Sequence, residues 1–414
     1  MALSYLHRDR QNDGRRDFLT MRIDTPQIAR PDAAGPPRVA LVVTSTLVVR
    51  WFLLEHIRTL ARSFAVTLIV NNDAPELETL LPCRIVSLRL ERDIAPFADL
   101  SAFTGLWRHF RAERYQLVHT QTPKAGLLGM LAAWLAGVPC RLHTFTGQVW
   151  ATRRGPMRSL LKAADRLTAA LATQVLADSF SQRDFVVAQD IVDAGKISVL
   201  GLGSVAGVDC ERFKPDSAAR AALRAELGIP ADDPVFLFIG RIKRDKGVLD
   251  LARAYAALTR ENKACHLLLA GPDEDGLLPE IEQACAACRS HLHVAGFSAV
   301  PERYMAASDV LCLPSYREGF GVVIIEAAAA GVPAIGSRIY GITDAIVEGE
   351  TGLLFEAGDA QQLALCMRTL AGDPSLRMRL GQSARERAMR DFPQAQLTAA
   401  LLACYRQLLA RQGQ

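Results

Sequence analysis

The sequence has no apolar run of the ~18 residues that a membrane-spanning helix needs. Its densest run, Ala125–Ala136, is short and begins beside Lys124. It lacks a G-x-G-x-x-G after its first β-like run, which counts against a dinucleotide enzyme. Thr44-Ser45-Thr46 stands there instead. Charge of one sign is scarce: 48 Lys/Arg against 44 Asp/Glu leave +4, which sets aside an obvious nucleic-acid binder. The nine cysteines are scattered, and Cys265, Cys312, Cys366 and Cys404 sit in apolar stretches. They read as reduced core residues in a reducing compartment. The beginning, Met1-Ala2-Leu3-Ser4, soon becomes Arg- and Asp-rich and shows no apolar core of a signal peptide, so a cytoplasmic location is expected.

What is present is a long, half-apolar chain. With 414 residues and 50% hydrophobic side chains, two cores are expected. Residues 1–37 are polar, without period, and punctuated by Asp13-Gly14 and prolines; they read as a flexible tail. Short β-branched runs then alternate with helical patterns: Arg38–Val43, Val66–Val70, Arg84–Leu88, Leu117–His119, Cys140–Phe145, Gln174–Ala177 and Ile197–Leu200. Gly201–Pro215 breaks the alternation, which restarts with Val235–Ile239, His266–Ala270, His291–Ala295, Asp309–Leu313 and Pro333–Gly336. Strand–helix alternation implies parallel sheets covered on both faces. The halves echo each other in Ala136-Gly137-Val138-Pro139 and Ala330-Gly331-Val332-Pro333, where glycine stops a helix and proline bars its continuation. The expectation is α/β: two doubly wound, Rossmann-like domains, 38–205 and 206–392, facing a central cleft. A final amphipathic helix lies within 393–414. Ligands of such sheets bind beyond the strands' carboxyl ends. Charge divides between the halves: residues 38–205 carry 19 Lys/Arg against 13 Asp/Glu (+6), and residues 206–414 carry 23 against 26 (−3). A basic first half suits a phosphate or an anionic membrane face.

Two segments carry chemistry. Gly240-Arg241-Ile242-Lys243-Arg244-Asp245-Lys246-Gly247 follows a buried strand and precedes a helix. Its glycines admit a ligand to the backbone, and Arg241 and Lys246 bring cations to a helix N-terminus, an arrangement suited to a diphosphate. A solvated basic turn is the plainer reading. Pro314-Ser315-Tyr316-Arg317-Glu318-Gly319-Phe320-Gly321 follows another strand and leads into a helix containing Glu326. Glu318 in that loop can meet sugar hydroxyls, and the amides of Gly319–Gly321 can meet phosphate or hydroxyl oxygens. Glu326 shares its helix face with Val322, Val323 and Ala330, where a carboxylate is costly without a partner. A ribose diol supplies two donors.

Glu318-x7-Glu326 with Gly240-Arg241 and Lys246-Gly247 resembles the retaining, nucleotide-sugar-dependent glycosyltransferases of family 4, which have the GT-B fold. The likeness continues through Gly341-Ile342, Gly349–Phe355 and Gly358-Asp359 and covers essentially residues 38–410. His119–Gly129 resembles the branch that builds bacterial surface polysaccharides, capsule or O-antigen. The resemblance implies that the first domain holds the acceptor and the second the donor. It implies that Arg241 and Lys246 neutralise the departing diphosphate and that Glu318 contacts the donor sugar. Gly240, Gly319, Phe320 and Gly321 line the donor, Glu326 binds its ribose, and Phe297 lines the base pocket. Thr44, Thr46, Lys124 and Thr146 fall to the acceptor side. The implied reaction moves a hexose or N-acetylhexosamine, with retention, from a UDP-sugar to a lipid-diphosphate-linked saccharide, without a metal or other cofactor. The family usually has Thr-x-His-Gly where this chain reads Thr144-Phe145-Thr146-Gly147, so a threonine hydroxyl replaces the histidine. His143 lies three residues earlier, an odd offset that points it to the other strand face as a structural residue. Sugar-nucleotide epimerases share the fold; the two glutamates with the Arg241/Lys246 pair favour transfer.

Other patterns have plainer readings. Cys285-x2-Cys288 with His291 and His293 lacks a second ligand pair at zinc-finger spacing, and Ile281–Cys288 reads as helix. Asp273-Glu274-Asp275 mimics a metal-binding Asp-x-Asp but reads as a solvated acidic loop. The hydroxyls of Thr44-Ser45-Thr46 can reach an acceptor or cap a helix; both readings stay open. Arg153, Arg154, Arg158, Lys162 and Arg166, interleaved with Trp150, Met157, Leu160 and Leu161, form a basic amphipathic stretch. It suits peripheral contact with an anionic membrane, here the inner face of the cell membrane.

Overall fold

A computed structural model describes residues 35–71, 75–90, 95–260 and 264–412. The tail expected over 1–37 lies outside the described residues except for its last three. Two parallel sheets follow, within one compact unit that begins at Pro37. The first contains β1 (Arg38–Val42), β2 (Ala65–Val70), β3 (Arg84–Ser87), β4 (Leu117–Gln121), β5 (Cys140–Phe145), β6 (Gln174–Ala177) and β7 (Ile197–Val199). Their spatial order is β3-β2-β1-β4-β5-β6-β7. The second contains β8 (Val235–Ile239), β9 (His266–Ala270), β10 (Leu292–Gly296), β11 (Val310–Leu313), β12 (Ala334–Ser337) and β13 (Gly352–Phe355), in the order β10-β9-β8-β11-β12-β13. The strands foreseen from sequence are all present, their ends shifted by two residues at most. β13 is an addition: Gly352–Phe355 is too short and Gly-led to stand out, and its pairing with β12 makes it a strand.

Each sheet reverses its strand order once, between β1 and β4 in the first and between β8 and β11 in the second. A crevice opens at such a reversal because the flanking loops leave in opposite directions. The residues after β8 and β11 are the two chemical segments. Both faces of each sheet are covered: in β1, Val39 and Leu41 pack on one side and Ala40 and Val42 on the other.

The final helix, Gln394–Ala410, does not stay with the second sheet. Leu401, Tyr405 and Leu408 enter the core of the first, beside Val39, Leu41, Ile57 and Leu142. Burying each such side chain stabilises by about 1.5–3 kcal/mol, so the helix is a structural part of the first half. The chain therefore crosses between halves twice, and the crossings are tied together. Val208 N–H donates to Phe392 O at 2.8 Å, and Gln394 N–H donates to Val208 O at 2.9 Å.

Candidate active site

The loops after β8 and β11 are bound into one unit. Gly240–Gly247 makes a short 3-10 turn over Arg244–Lys246. Tyr316 N–H donates to Asp245 O at 2.9 Å, and Arg317 pairs with Asp245 at 2.9 Å. Lys246 Nζ lies 2.5 Å from Glu318 Oε1, which also accepts from Ser315 Oγ at 2.7 Å. The two side chains are only 18% and 13% exposed, so little water screens the pair. The sequence reading assigns Lys246 to the diphosphate and Glu318 to the sugar; the structure joins them. Arg241 stands further out, 41% exposed, with Nη1 3.2 Å from Glu274 Oε2. Both cations thus have carboxylate partners.

Behind the loop runs the helix Val322–Ala329, mostly buried through Ile324, Ile325, Ala327, Ala328 and Ala329. Glu326 is half-buried, and among the described residues its carboxylate makes no hydrogen bond or ion pair. Burial pushes its carboxyl up to about 7, against the pull of Arg212 and with a push from Glu302. A carboxylate held so has unspent accepting capacity. Phe297, just after edge strand β10, is 59% exposed. Phe320 is different: its ring is 2% exposed and lies 5.3 Å from Phe392 in an edge-on contact within the core. The aromatic side chain expected at the donor is therefore a core residue, and only its main chain can serve a ligand.

Gly319 is where the halves touch. A Cβ there would lie 2.6 Å from Asp178 Oδ2 and 3.0 Å from the carbonyl carbon of Thr146, so only glycine fits. Thr146 is half-buried and its main chain abuts the donor loop. The other acceptor-side candidates face protein. Thr44 Oγ1 lies 3.2 Å from Thr122 Oγ1, joining the ends of β1 and β4 across the first sheet's reversal. Thr46 is 4% exposed, and Ser45 caps the short helix Thr46–Val48 by accepting from Leu47 N–H. Capping therefore holds for Ser45. Lys124 Nζ pairs with Asp99 Oδ1 at 2.7 Å. His143 is buried against Gly126 and bonded through Nδ1 to Thr120 Oγ1 at 2.8 Å.

Residues 49–203 match the family model described as a glycosyl transferase 4-like domain, and residues 219–387 match glycosyl transferases group 1. The capsular polysaccharide biosynthesis glycosyltransferase CapM of Staphylococcus aureus is 30% identical over 78% of this chain and 85% of its own. The chain belongs to the group 1 glycosyltransferases. This glycosyltransferase is also similar to the D-inositol 3-phosphate glycosyltransferase of Streptomyces avermitilis, 33% identical over 70% of this chain and 66% of that one. The UDP-Gal:alpha-D-GlcNAc-diphosphoundecaprenol alpha-1,3-galactosyltransferase of Escherichia coli is 28% identical over 73% of this chain and 78% of its own. The sucrose-phosphate synthase structure from Thermosynechococcus elongatus superposes with a TM-score of 0.77 at 22% identity, over 91% of this chain and 100% of that one. The fold is GT-B, and the enzyme is a nucleotide-sugar-dependent glycosyltransferase, which removes the epimerase alternative.

The remaining patterns resolve as scaffold in this glycosyltransferase. Asp273 accepts from Leu277 and Leu278 N–H, Glu274 pairs with Arg241 and Lys243, and Asp275 accepts from Arg244 N–H. Cys285 and Cys288 are buried, and the helix expected over Ile281–Cys288 ends at Ala284, with Cys288 outside helical geometry. His293 bonds instead to His266 at 3.0 Å. No group of three or more metal-ligating side chains converges among the described residues. Trp150, read as part of an amphipathic surface, is 1% exposed and donates from its indole to Asp165 at 2.7 Å. Sequence reading missed Asp178, Ser179 and Asp344, which lie at the meeting of the halves. The signal that could have found the first two was a strand end followed by Ser179-x-x-Gln182, a helix start aimed at the cleft.

Proposed function

We propose that this glycosyltransferase moves a hexose or N-acetylhexosamine, with retention, from a UDP-sugar to a lipid-diphosphate-linked saccharide in cell-surface polysaccharide synthesis. The observation that carries the donor reading is Glu326, half-buried and with no hydrogen bond to its carboxylate among the described residues, on the helix that follows the loop of the Lys246–Glu318 pair. Its carboxylate accepts both ribose hydroxyls, Phe297 covers the base, and Glu318 orients the sugar. Arg241, Lys246 and the N-terminal amides of the helix Val322–Ala329 meet the diphosphate. As the anomeric C–O bond breaks, that charge grows on the leaving phosphate, which is where fixed cations lower the barrier. The acceptor oxygen bonds to the anomeric carbon on the face the diphosphate leaves, and its proton passes to the departing phosphate oxygen. With the diphosphate so matched and the nearby acidic loop engaged in capping and ion pairs, no metal is required.

Three relatives bear on the acceptor. The diphosphoundecaprenol enzyme, with the capsular one beside it, favours a lipid-linked saccharide; the inositol-phosphate enzyme favours a soluble acceptor. The basic surface favours the first. No helix among the described residues is long and apolar enough to cross a membrane. The helix Gly155–Leu171 exposes Met157 (41%), Leu160 (59%) and Leu167 (45%), with Arg153 and Arg154 exposed at its start. Peripheral docking on the anionic inner face of the cell membrane follows.

The test is calorimetry with UDP on wild type and Glu326→Ala. Loss of a hydrogen-bonded carboxylate costs about 1.5–3 kcal/mol, roughly ten- to a hundredfold in affinity. Equal affinity removes Glu326 from the site. UDP release with lipid-diphosphate saccharide against inositol phosphate then decides the acceptor.

A further inference from the structure

The helix Phe180–Ala188 belongs to the first half, but its N-terminus is served by the second. Asp344, in the short helix Ile342–Ala345, accepts from Phe180 N–H at 3.1 Å and from Ser181 N–H at 3.3 Å. Its other oxygen accepts from Ser181 Oγ. That same hydroxyl oxygen accepts from Gly341 N–H at 2.7 Å. A carboxylate at a helix start meets unpaired N–H groups and the positive end of the helix dipole. Asp344 is itself fixed, because Arg387 holds its carbonyl at 2.7 Å and that of Ala345 at 2.6 Å.

Two residues earlier, Ser179 does double work. Its Oγ accepts from Gln182 N–H at 3.2 Å, capping the same helix, and donates to Gly319 O at 2.8 Å. Ser179 is fully buried, so this bond has no competing water. Gly341 closes the third side. Its φ is +85°, and a Cβ there would lie 2.6 Å from Gly319 O. Asp178 Oδ2 packs beneath Gly319 from below. The peptide that follows Glu318 is thereby held from the first half, at one carbonyl oxygen.

We infer that Ser179, Ser181 and Asp344 are positioning residues that hold the Glu318–Gly321 loop in its transfer geometry through the Gly319 carbonyl. The inference rests on the donor reading above. It divides the donor in two. The nucleotide end, at Glu326 and Phe297, is built by the second half alone. The sugar end, at Glu318 and the following amides, depends on both.

The experiment compares wild type, Ser179→Ala and Asp344→Ala in the full-length chain. UDP affinity is read by calorimetry. Turnover is read as UDP release from whichever of UDP-glucose, UDP-galactose, UDP-N-acetylglucosamine and UDP-N-acetylgalactosamine wild type hydrolyses fastest. Displacing a reacting group by about 1 Å costs on the order of a hundredfold. Each variant is therefore expected to lose roughly ten- to a hundredfold in kcat with UDP affinity unchanged. Ser179→Thr, which keeps the hydroxyl, and Asp344→Asn, which keeps an accepting oxygen, should recover much of the loss. A merely structural role lowers binding and turnover together, and that result overturns the inference. So does wild-type kcat in both folded alanine variants. If an alanine variant does not fold, Ser181→Ala removes only the shared hydroxyl and carries the same expectation. Failure of wild type to bind UDP defeats the donor reading itself; UDP binding without the kcat loss defeats only this inference.

Discussion

The two halves share a topology but place their buried polar residues differently. In the second, the strands beside the reversal are wholly apolar: β8 is Val-Phe-Leu-Phe-Ile and β11 is Val-Leu-Cys-Leu. Its chemistry begins only beyond the strand ends, in loops. In the first, β4 reads Leu-Val-His-Thr-Gln and β5 reads Cys-Arg-Leu-His-Thr-Phe, with histidine and threonine inside the sheet. They are paired: His119 Nε2 with Thr144 Oγ1 at 2.8 Å, Thr120 Oγ1 with His143 Nδ1 at 2.8 Å, and His119 Nδ1 with Tyr405 OH at 2.7 Å. Among the described residues, Gln121 Oε1 and Asp178 Oδ1, at the strand ends, have no partner. Beside its reversal the second half therefore keeps scaffold and site apart, its buried strand histidine, His266, pairing with His293 out in β9 and β10. In the first, polar residues also hold the scaffold, and their state governs its stability.

The largest expected effect sharpens the donor side. Lys246→Ala leaves Glu318 without its cationic partner and the leaving diphosphate with Arg241 as its remaining cation. A fall of about 10²–10³ in kcat is expected in steady-state UDP release, as for loss of one preorganised charge-stabilising group. Activity within severalfold of wild type would remove Lys246 from the reaction.

A second test reads the first half's buried polar groups by pH. Burial lowers His119 and His143 to about 3, from an unfolded value of 6.5. The unfolded chain binds two more protons than the native one between those values. Their contribution to stability is complete above pH 6.5 and is lost as pH falls toward 3, at up to about 2.7 kcal/mol per pH unit. Asp178 works the other way. Burial raises it to about 8, so it costs stability as pH rises from the usual carboxylate range through 8. Urea midpoints across pH should show an acid limb that His143→Gln flattens in part, and a loss toward alkaline pH that Asp178→Asn reduces, with Glu326 supplying the rest. A pH-independent midpoint would contradict the picture of neutral buried groups.

Smaller effects are expected at the surface. Arg158 and Lys162 lie over the buried Trp150 ring, each 5.6 Å from its centre, while Arg153 and Arg154 are exposed. Each cation near an anionic bilayer is worth about 1 kcal/mol, screened over ~8 Å at physiological salt. Replacing Arg153, Arg154 and Arg158 by glutamine should weaken co-sedimentation with anionic vesicles strongly at low salt and less at high salt. UDP affinity, set in the other half, should not change. Wild-type sedimentation by the triple variant would place docking elsewhere. The smallest expected effect is none: EDTA leaves UDP release intact. Loss restored by manganese would return Asp273 and Asp275 to consideration.

Legibility followed the same division. The proposed donor residues Arg241, Lys246, Glu318 and Glu326 stand out in the sequence because their loops and helix are local, and an odd charge among apolar residues is conspicuous. Alternation gave both sheets because buried parallel strands are short and uniformly apolar. Contacts between distant segments were not readable. Nothing local says that Lys246 closes on Glu318, that Phe320 turns into the core, or that Asp344 reaches Phe180 across 164 positions. Nor does the sequence around Trp150 reveal that helix packing buries the ring while leaving its arginine neighbours outside. Such pairings are decided by docking of whole elements, which periodicity does not encode.

The return of the final helix to the first half has a consequence for biosynthesis. Leu401, Tyr405 and Leu408 complete a core whose other members are translated before residue 180. Some 200 residues separate that point from the helix, or roughly 10–40 s at 5–20 residues per second. Throughout that interval the nascent first half carries an open apolar face and a His119 whose Nδ1 still lacks Tyr405. The second half can finish its own core first. The sheet that starts earliest on the ribosome is thus the last to close, and it is the one that a chaperone has most reason to cover.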